Sequence, residues 1–400
     1  MDIEGFRALL TPEGARVLAE AAGADVTEGG LLATASRLRE RYPAGLVAAA
    51  LTQVRLRERA RAKFGDDAAR MFFTPAGLEQ STRSAVADHR ARRFAAHVTG
   101  PVLELGCGIG GDLLARARAG LRGEGVELDP LTAEVARANL AVFGLEDLAS
   151  VRVGDATEQD PAGFGAVFAD PGRRTARGRV FDPRSYEPPL DVVLDLAGKV
   201  PAACAKVAPG IPHEAVPDGA EAEWVSVGGE VKEAALWLGG LAGDVRRRAT
   251  LITAGGTATL TPDPALGDPD VRGWGRYLYE PDGAVIRAHL VAEVAAAVGG
   301  GLADPRIAYV TSDELRPTPF AAAYEVEDVL PFSLKRLKAE LRRREVGVLT
   351  IKKRGSALEV DKLRRDLGFA RRAPRGATAM TVVLTRVGEA PVALLARPAR

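Results

Sequence analysis

The feature that most restricts the fold is a regular alternation of short apolar segments and helical segments between residues 101 and 171. Four segments, PVLELGCG, EGVELD, SVRVGDA and FGAVFADP, have the length and apolar content of buried strands. Between the second and third, LTAEVARANLAVFG places apolar residues at helical spacing and ends at Gly144. Because strands that alternate with helices form parallel sheets, this region predicts an α/β fold with a doubly wound sheet.

Glycine and proline divide the rest of the chain. WVSVGGEVKEAALWLG predicts two strands around a Gly228-Gly229 turn, which would end the parallel sheet in an antiparallel pair, and RRATLITAGGTATLTP predicts a second hairpin. Residues 1–97 have helical periodicity and no strand pattern. The segment TPDPALGDPDVRGWG predicts a linker. A helical stretch, AVIRAHLVAEVAAAV, and a small mixed module with the strands VGVLTI, MTVVLT and VALLA follow it.

A glycine-rich loop follows the first predicted strand. Gly106, Gly108 and Gly110 allow the chain to turn sharply and bring backbone N–H groups against a ligand. Gly106, Gly108 and Gly111 also satisfy G-x-G-x-x-G. The loop by itself therefore fits a dinucleotide site as well as a site for S-adenosylmethionine.

Acidic residues in strand order distinguish between these two cofactors. Glu127 ends the second strand, about 20 residues beyond the loop, where a carboxylate accepts both ribose hydroxyls. Glu104 precedes the loop, where it would repel a pyrophosphate and attract the ammonium group of S-adenosylmethionine, and Asp112 adds to this charge. Asp155 and Ala156 follow the third strand, where the carboxylate can accept from an adenine amino group. The set favours S-adenosylmethionine.

The fourth strand ends at a candidate catalytic group. Asp170-Pro171 lies at the carboxyl edge, where ligands bind in such sheets, and a carboxylate there can hold the lone pair of an exocyclic nitrogen toward a methyl donor. Amino-methylating enzymes of DNA and RNA have Asp/Asn-Pro-Pro-aromatic at this point, whereas this chain continues with Gly172, Arg173 and Arg174. The two arginines would stack on a base or clamp a phosphate, or else form a salt bridge within the loop.

Composition excludes several other classes of protein. Two cysteines and four histidines are too few and too scattered for a disulfide framework or a zinc cluster, so we expect no metal. Cys107 in the glycine loop and Cys204 in an apolar segment are not placed for the thiolate attack that pyrimidine C5 methylation needs. The first residues, MDIEGFRALL, lack a signal layout, and no apolar stretch is long enough to span a membrane. We therefore expect a cytoplasmic protein.

The net charge of +1 conceals a basic segment near the end of the chain. Residues 335–375 contain 15 Lys or Arg against 5 Asp or Glu, a local excess of +10. Such segregation indicates an anionic partner, with Lys352, Lys353 and Arg354 as candidate RNA-binding residues beside Arg174. The alternative is a pair of solvated amphipathic helices.

Several stretches of the sequence resemble one family. MFFTPAGLEQSTRSAVADHRARRF, LELGCGIGGD through ADPGRR, and YLYEPDGAVIRAHL with RIAYVTSDE resemble bacterial class I S-adenosylmethionine-dependent methyltransferases with a C-terminal THUMP-like domain. The segment KKRG…EVDKLRRDLG is similar to the THUMP-like module, and IGGD is similar to a signature of cap-hypermethylating guanosine methyltransferases. The resemblance implies a Rossmann-like sheet and a cofactor site at the glycines and acids named above. It also implies RNA as the substrate class, because THUMP modules bind tRNA.

These observations predict four regions and one activity. We expect a helical N-terminal domain over 1–97, a class I methyltransferase domain over 98–260, a linker and connecting α+β segment over 261–324, and a basic THUMP-like domain over 325–400. The expected activity is methyl transfer to a base nitrogen in tRNA or rRNA. Alternatives are a protein or small-molecule methyltransferase and a cofactor-binding RNA-binding protein without turnover, whereas Glu104 and the terminal hairpin disfavour a nicotinamide dehydrogenase.

Overall fold

The computed structural model describes residues 1–25, 27, 29–172, 174–175, 178–179, 186–369 and 376–399 of the 400-residue chain. The helices of these residues are α1 (Ile3–Leu9), α2 (Pro12–Ala22), α3 (Leu31–Arg39), α4 (Ala44–Phe64), α5 (Pro75–Gln80), α6 (Ser84–His97), α7 (Gly111–Arg118), α8 (Pro130–Val142), α9 (Leu190–Ala197), α10 (Gly283–Arg287), α11 (Val291–Ala297), α12 (Leu334–Arg343) and α13 (Val360–Leu367).

The strands of the described residues are β1 (Val102–Leu105), β2 (Gly123–Glu127), β3 (Ala149–Val153), β4 (Ala166–Ala169), β5 (Arg174–Thr175), β6 (Gly178–Arg179), β7 (Ala202–Val207), β8 (Glu221–Val227), β9 (Glu230–Gly239), β10 (Arg247–Thr253), β11 (Gly256–Leu260), β12 (Tyr277–Pro281), β13 (Gly301–Asp304), β14 (Ile307–Ser312), β15 (Ala321–Pro331), β16 (Val346–Lys353), β17 (Thr378–Val387) and β18 (Ala390–Pro398).

The chain divides into two compact units. The first comprises Met1–Ala222 and Glu233–Arg246, and the second comprises Glu223–Lys232 and Arg247–Arg400. The finer division into four regions stays a prediction.

The first unit contains the predicted sheet, in the strand order β9-β7-β4-β1-β2-β3. The strands β3, β2, β1, β4 and β7 pair in parallel, and β9 pairs with β7 in the antiparallel sense. Every residue of β1, β4 and β7 is buried, which explains why these strands are apolar in sequence apart from Glu104 in β1 and Lys206 in β7. The Rossmann-like sheet with an antiparallel end is confirmed.

The helical N-terminal region is also confirmed. Among the described residues up to His97 the structure contains helices and no strand. One hydrophobic cluster joins α1, α2 and α4 to α8 and to Ile109 of the glycine loop. At its surface, Arg7 donates a hydrogen bond of 2.7 Å to Glu134. The N-terminal helices therefore pack on the sheet domain.

The second unit contains the hairpin of β10 and β11 and a sheet in the order β13-β14-β12-β15-β18-β17-β16. The helices α12 and α13 bury Leu337, Leu341 and Leu363 in the hydrophobic cluster that includes Leu349 of β16. The predicted linker segment has no helix or strand, yet it is fixed in place, because Arg272 N donates to Leu302 O and Leu302 N donates to Asp270 O, both at 2.8 Å.

One predicted helical stretch is divided in the structure. AVIRAHLVAEVAAAV forms α10 and α11, which are separated at His289, where φ is +55°. Burial of Ala288 and Leu290 on either side of this residue explains the break, because a left-handed residue redirects the chain while both neighbours stay in the core. Among the described residues no helix is long and apolar enough to cross a membrane.

Candidate active site

The carboxyl ends of β1, β2, β3 and β4 surround a cavity of about 530 Å³. The predicted residues that line it are Gly106, Gly108, Glu127, Asp155, Ala156, Asp170 and Pro171. An adjoining cavity of about 340 Å³ is lined by Glu104 and Asp112, together with Gly106, Gly108, Glu127 and Asp170. Side chains and glycines predicted from four separate strand ends therefore lie around one space.

The glycine loop lies open to this space. Gly106 and Gly108 have φ values of +74° and +55°, and a Cβ at either would meet no heavy atom of the described residues within 4 Å. A side chain there would be strained and would occupy the cavity that the two glycines line. Gly110, at φ +81°, ends the loop and begins α7.

Glu127 is held at the end of β2 by two backbone N–H groups. Its Oε2 accepts from Gly108 N at 2.9 Å, and its Oε1 accepts from Asp129 N at 3.0 Å. Each carboxylate oxygen keeps a further lone pair for a ligand hydroxyl. This fixed geometry suits a group that binds a vicinal diol.

Asp155 begins a short 3₁₀ turn after β3. Its Oδ1 accepts from the Thr157 hydroxyl at 2.7 Å and from Thr157 N at 2.8 Å. These hydrogen bonds lower the pKa of Asp155, so the carboxylate is ionised at neutral pH and available as an acceptor.

Glu104 and Asp112 lie deeper, and each carboxylate already has an arginine partner. Glu104 accepts from Arg116, and Asp112 Oδ1 accepts from Arg90 at 3.0 and 2.8 Å. Burial raises the pKa of Glu104 to about 8, although Arg116 opposes this shift. Binding of a ligand ammonium group by these two residues stays a prediction.

Asp170 follows β4 and has a partner that the sequence analysis missed. Its Oδ2 accepts from Lys206 Nζ at 2.5 Å, and Lys206 also donates to the Thr82 hydroxyl at 2.9 Å. Lys206 lies on β7, in the otherwise apolar segment AACAKV. Because a buried lysine needs an anionic partner, the single lysine in this apolar segment was the sequence signal that indicated such a contact.

Comparison with known proteins decides the family. The chain is 37% identical over 361 residues to an uncharacterized S-adenosylmethionine-dependent methyltransferase found in two strains of Mycobacterium tuberculosis, over 86% of this chain and 95% of the relative. The chain belongs to the S-adenosylmethionine-dependent methyltransferases. Residues 321–398 match the family model described as THUMP domain-like, and residues 2–60 match a domain of unknown function (DUF8688).

A solved structure supports the fold of the methyltransferase. The crystal structure of a protein from Porphyromonas gingivalis, named provisionally as a methyltransferase, has a TM-score of 0.75 and 22% identity. The alignment covers 96% of this chain and 99% of the other. The resemblance to a class I methyltransferase with a THUMP-like domain is thus confirmed.

S-adenosylmethionine is the cofactor of the family, and the residues around the cavity fit it. The open glycines Gly106 and Gly108 leave room for a ligand against the backbone, and Glu127 and Asp155 present fixed carboxylates on the same side. When bound, the cofactor supplies an electrophilic methyl group on a sulfonium centre. Among the described residues, no group of three or more His, Cys, Asp or Glu could hold a metal ion.

The loop after Asp170 is described only in part. Gly172 N donates to Glu187 O at 2.7 Å, and Glu187 N donates to Gly172 O at 3.0 Å, which closes the loop beside the cavity. Arg173 lies outside the described residues, and of Arg174 only the backbone, in β5, is described. Their predicted contacts with a base or phosphate stay predictions.

The three basic candidates in the THUMP-like module make contacts within the methyltransferase. Lys352 donates to Glu280, and Lys353 Nζ donates to Leu358 O at 2.8 Å. The guanidinium of Arg354 lies over the ring of Tyr309 at 5.4 Å. Exposed basic residues with no ion-pair partner among the described residues occur instead on α12 and α13: Lys335, Arg336, Arg342, Lys362 and Arg365.

Proposed function

We propose that this methyltransferase transfers a methyl group to a base nitrogen in structured RNA, either tRNA or rRNA. The observation that carries the proposal is the position of Asp170, whose Oδ2 is held by Lys206 while its Oδ1 has no hydrogen-bond partner among the described residues. A carboxylate oxygen at the cavity is suited to accept from the N–H of an exocyclic amine.

In this proposal each predicted residue has a separate task. Glu127 binds the ribose hydroxyls, Asp155 accepts from the adenine amino group, and the methionine portion lies against the backbone at Gly106 and Gly108, where no Cβ occupies the space. Glu104 and Asp112, with their arginines, set the charge near its amino group. Asp170 and Pro171 position the acceptor.

The transfer step is a single displacement. Asp170 Oδ1 accepts from the acceptor N–H and thereby directs the nitrogen lone pair toward the methyl carbon. The acceptor nitrogen forms the new N–C bond as the sulfonium S–C bond breaks, and its proton leaves through the Asp170 carboxylate to water. Gly172 and Glu187, which line the cavity, border the space where the base would enter.

Two observations support RNA as the acceptor. Residues 321–398 match the family model described as THUMP domain-like, and residues 335–375 contain 15 basic residues against 5 acidic ones. A basic surface of this kind attracts RNA phosphates whatever the base sequence. We propose α12 and α13 as its main contacts, with Arg174 and Lys352–Arg354 as further candidates. A cytoplasmic location is consistent with tRNA or rRNA as acceptor.

The test is transfer of labelled methyl from S-adenosylmethionine to total small RNA from cells that lack this gene, because their target sites are unmodified. Asp170→Ala is the control. Label that appears with the wild type and is lost with the variant supports the proposal, and nuclease digestion then identifies the base.

The same experiment separates the alternatives. If label appears in protein or in small molecules and added RNA does not reduce it, the acceptor belongs to that class. No label in any fraction, with S-adenosylmethionine binding intact, indicates a cofactor-binding protein without turnover.

A further inference from the structure

A chain of buried charged side chains leads from the interior of the methyltransferase to Asp170. Asp112 contacts Arg90, Arg90 contacts Glu233, Glu233 lies 3.9 Å from Lys206, and Lys206 contacts Asp170. The side chains of the first four residues are 2–8% exposed, whereas that of Asp170 is 23% exposed. Asp170 is therefore the most exposed member of the chain, and it lines the main cavity together with Lys206.

The backbone places Lys206 and Asp170 side by side. In the parallel pair of β4 and β7, Ala169 is opposite Ala205, so Asp170, the first residue after β4, lies next to Lys206 of β7. Side chains at matching positions of adjacent strands point to the same side of the sheet. The contact is thus fixed by strand register.

The ammonium group of Lys206 is held by three neighbouring side chains. Two of its three N–H donors form hydrogen bonds, to Asp170 Oδ2 at 2.5 Å and to Thr82 Oγ1 at 2.9 Å, and Glu233 Oε2 lies at ion-pair distance, 3.9 Å away. Its side chain is 7% exposed. Lys206 lines the cavity beside Asp170, and its shortest contact is with the Asp170 carboxylate, through which it can influence transfer.

We propose that Lys206 is a positioning residue that holds Oδ2 of Asp170 and so presents Oδ1 to the acceptor nitrogen. Thr82, which is buried just before α6, also accepts from the ammonium, and Glu233 of β9, which is paired with Arg90 of α6, lies near it. This inference rests on the proposed role of Asp170 in transfer. Without Lys206 the carboxylate is free to rotate, and the near-attack geometry is populated less often.

The experiment compares Lys206→Met, Lys206→Arg and Thr82→Val with the wild type. We expect Lys206→Met to lower kcat about 100-fold, the cost typical of a misplaced reactive group, with little change in KM for S-adenosylmethionine. Lys206→Arg keeps a donor to Oδ2 and should recover part of this loss. Thr82→Val removes only a neutral acceptor, so it tests the same role in a protein whose buried charges stay balanced.

A purely structural role would give a different pattern. Unchanged kcat in Lys206→Met, equal losses in the methionine and arginine variants, or a rise in cofactor KM without loss of kcat would overturn the inference. Melting temperatures identify variants that do not fold, and for these Thr82→Val decides: a lowered kcat at unchanged cofactor KM supports the inference, and an unchanged kcat overturns it.

Crystal structures of Lys206→Met and Thr82→Val with S-adenosylhomocysteine provide a readout that needs no acceptor. The Asp170 carboxylate should adopt a different orientation from the wild type or more than one orientation, and an unchanged single orientation in both variants would overturn the inference. If RNA receives no label but the carboxylate moves, the RNA proposal fails and the role of Lys206 stands. If RNA is labelled and the variants transfer normally, the RNA proposal stands and the role of Lys206 fails.

Discussion

Gln53 of α4 pairs with the backbone of Phe73 through both ends of its side-chain amide. Gln53 Nε2 donates to Phe73 O at 2.7 Å, and Phe73 N donates to Gln53 Oε1 at 3.0 Å, with both residues fully buried. Asn139 of α8 does the same for Phe72 and also donates to Ile109 O in the glycine loop. The segment before α5 is thus fixed between the N-terminal helices and the cofactor loop.

Replacement of Gln53 by leucine should destabilise the methyltransferase. Leucine is similar in size, but it leaves the buried N–H and C=O of Phe73 without partners, which costs about 2–4 kcal/mol in the free energy of unfolding. Urea denaturation followed by circular dichroism measures this change. Thr52→Ala on the same helix is the control and should cost less than about 0.5 kcal/mol. Equal free energies of unfolding for Gln53→Leu and Thr52→Ala would contradict this role of the Gln53 amide.

Gly77 allows α5 to approach the glycine loop closely. A Cβ on Gly77 would lie 2.4 Å from Ile109 Cγ2 and 2.7 Å from Thr74 Oγ1. Because Ile109 is itself buried, Gly77→Ala should displace the loop, lower stability by roughly 1–3 kcal/mol and weaken binding of S-adenosylhomocysteine. Gly45→Ala on α4, where a Cβ meets no atom of the described residues within 4 Å, should leave calorimetric affinity unchanged. Normal affinity in Gly77→Ala would refute this role.

Glu104 should make the stability of the methyltransferase depend on pH. Its pKa is raised by burial from 4.5 to about 8, so the folded state favours the protonated carboxyl. The stabilisation from this proton is complete below about pH 4.5 and is lost as the pH rises through 8. Glu104→Gln stays neutral and should gain stability relative to the wild type between pH 5 and 9, by at most about 1.4 kcal/mol per pH unit. Glu124→Gln on β2, whose carboxyl is 32% exposed, is the control, and a pH-independent difference for Glu104→Gln would contradict the prediction.

The basic face of the THUMP-like module should determine how RNA binding depends on salt. Arg336 on α12 is exposed and has no ion-pair partner among the described residues, whereas Arg343 on the same helix donates to Glu340 at 2.7 Å. Removal of one phosphate contact in duplex RNA lowers the slope of log affinity against log salt by about 0.9. Fluorescence anisotropy with tRNA between about 50 and 200 mM salt should therefore show a larger effect for Arg336→Ala than for Arg343→Ala. An affinity for tRNA that does not change with salt would exclude contacts between RNA phosphates and this basic face.

The sequence was sufficient for those parts of the site that follow one another along the chain. The strand ends at Glu127, Asp155 and Asp170 and the glycines between them have local signals, because turn chemistry and strand order determine where they lie. The predicted cavity residues consequently lie around one space.

Contacts between distant segments had no such signal. Lys206 and Asp170 are 36 residues apart, Lys206 and Thr82 are 124 apart, and Arg90 and Glu233 are 143 apart. Only tertiary packing brings them together, and a single sequence does not record which buried lysine meets which carboxylate. The arginine partners of Glu104 and Asp112 were missed for the same reason.

The separate roles of Glu127 in cofactor binding and Asp170 in transfer are tested most directly by comparing both activities in Glu127→Ala and Asp170→Ala. Calorimetry with S-adenosylmethionine and transfer of labelled methyl to small RNA are carried out on both variants and on the wild type. We expect Glu127→Ala to weaken cofactor binding itself, whereas Asp170→Ala binds the cofactor normally and transfers no label. An equal loss of cofactor affinity in the two variants, or normal transfer by Asp170→Ala, would contradict this division of roles.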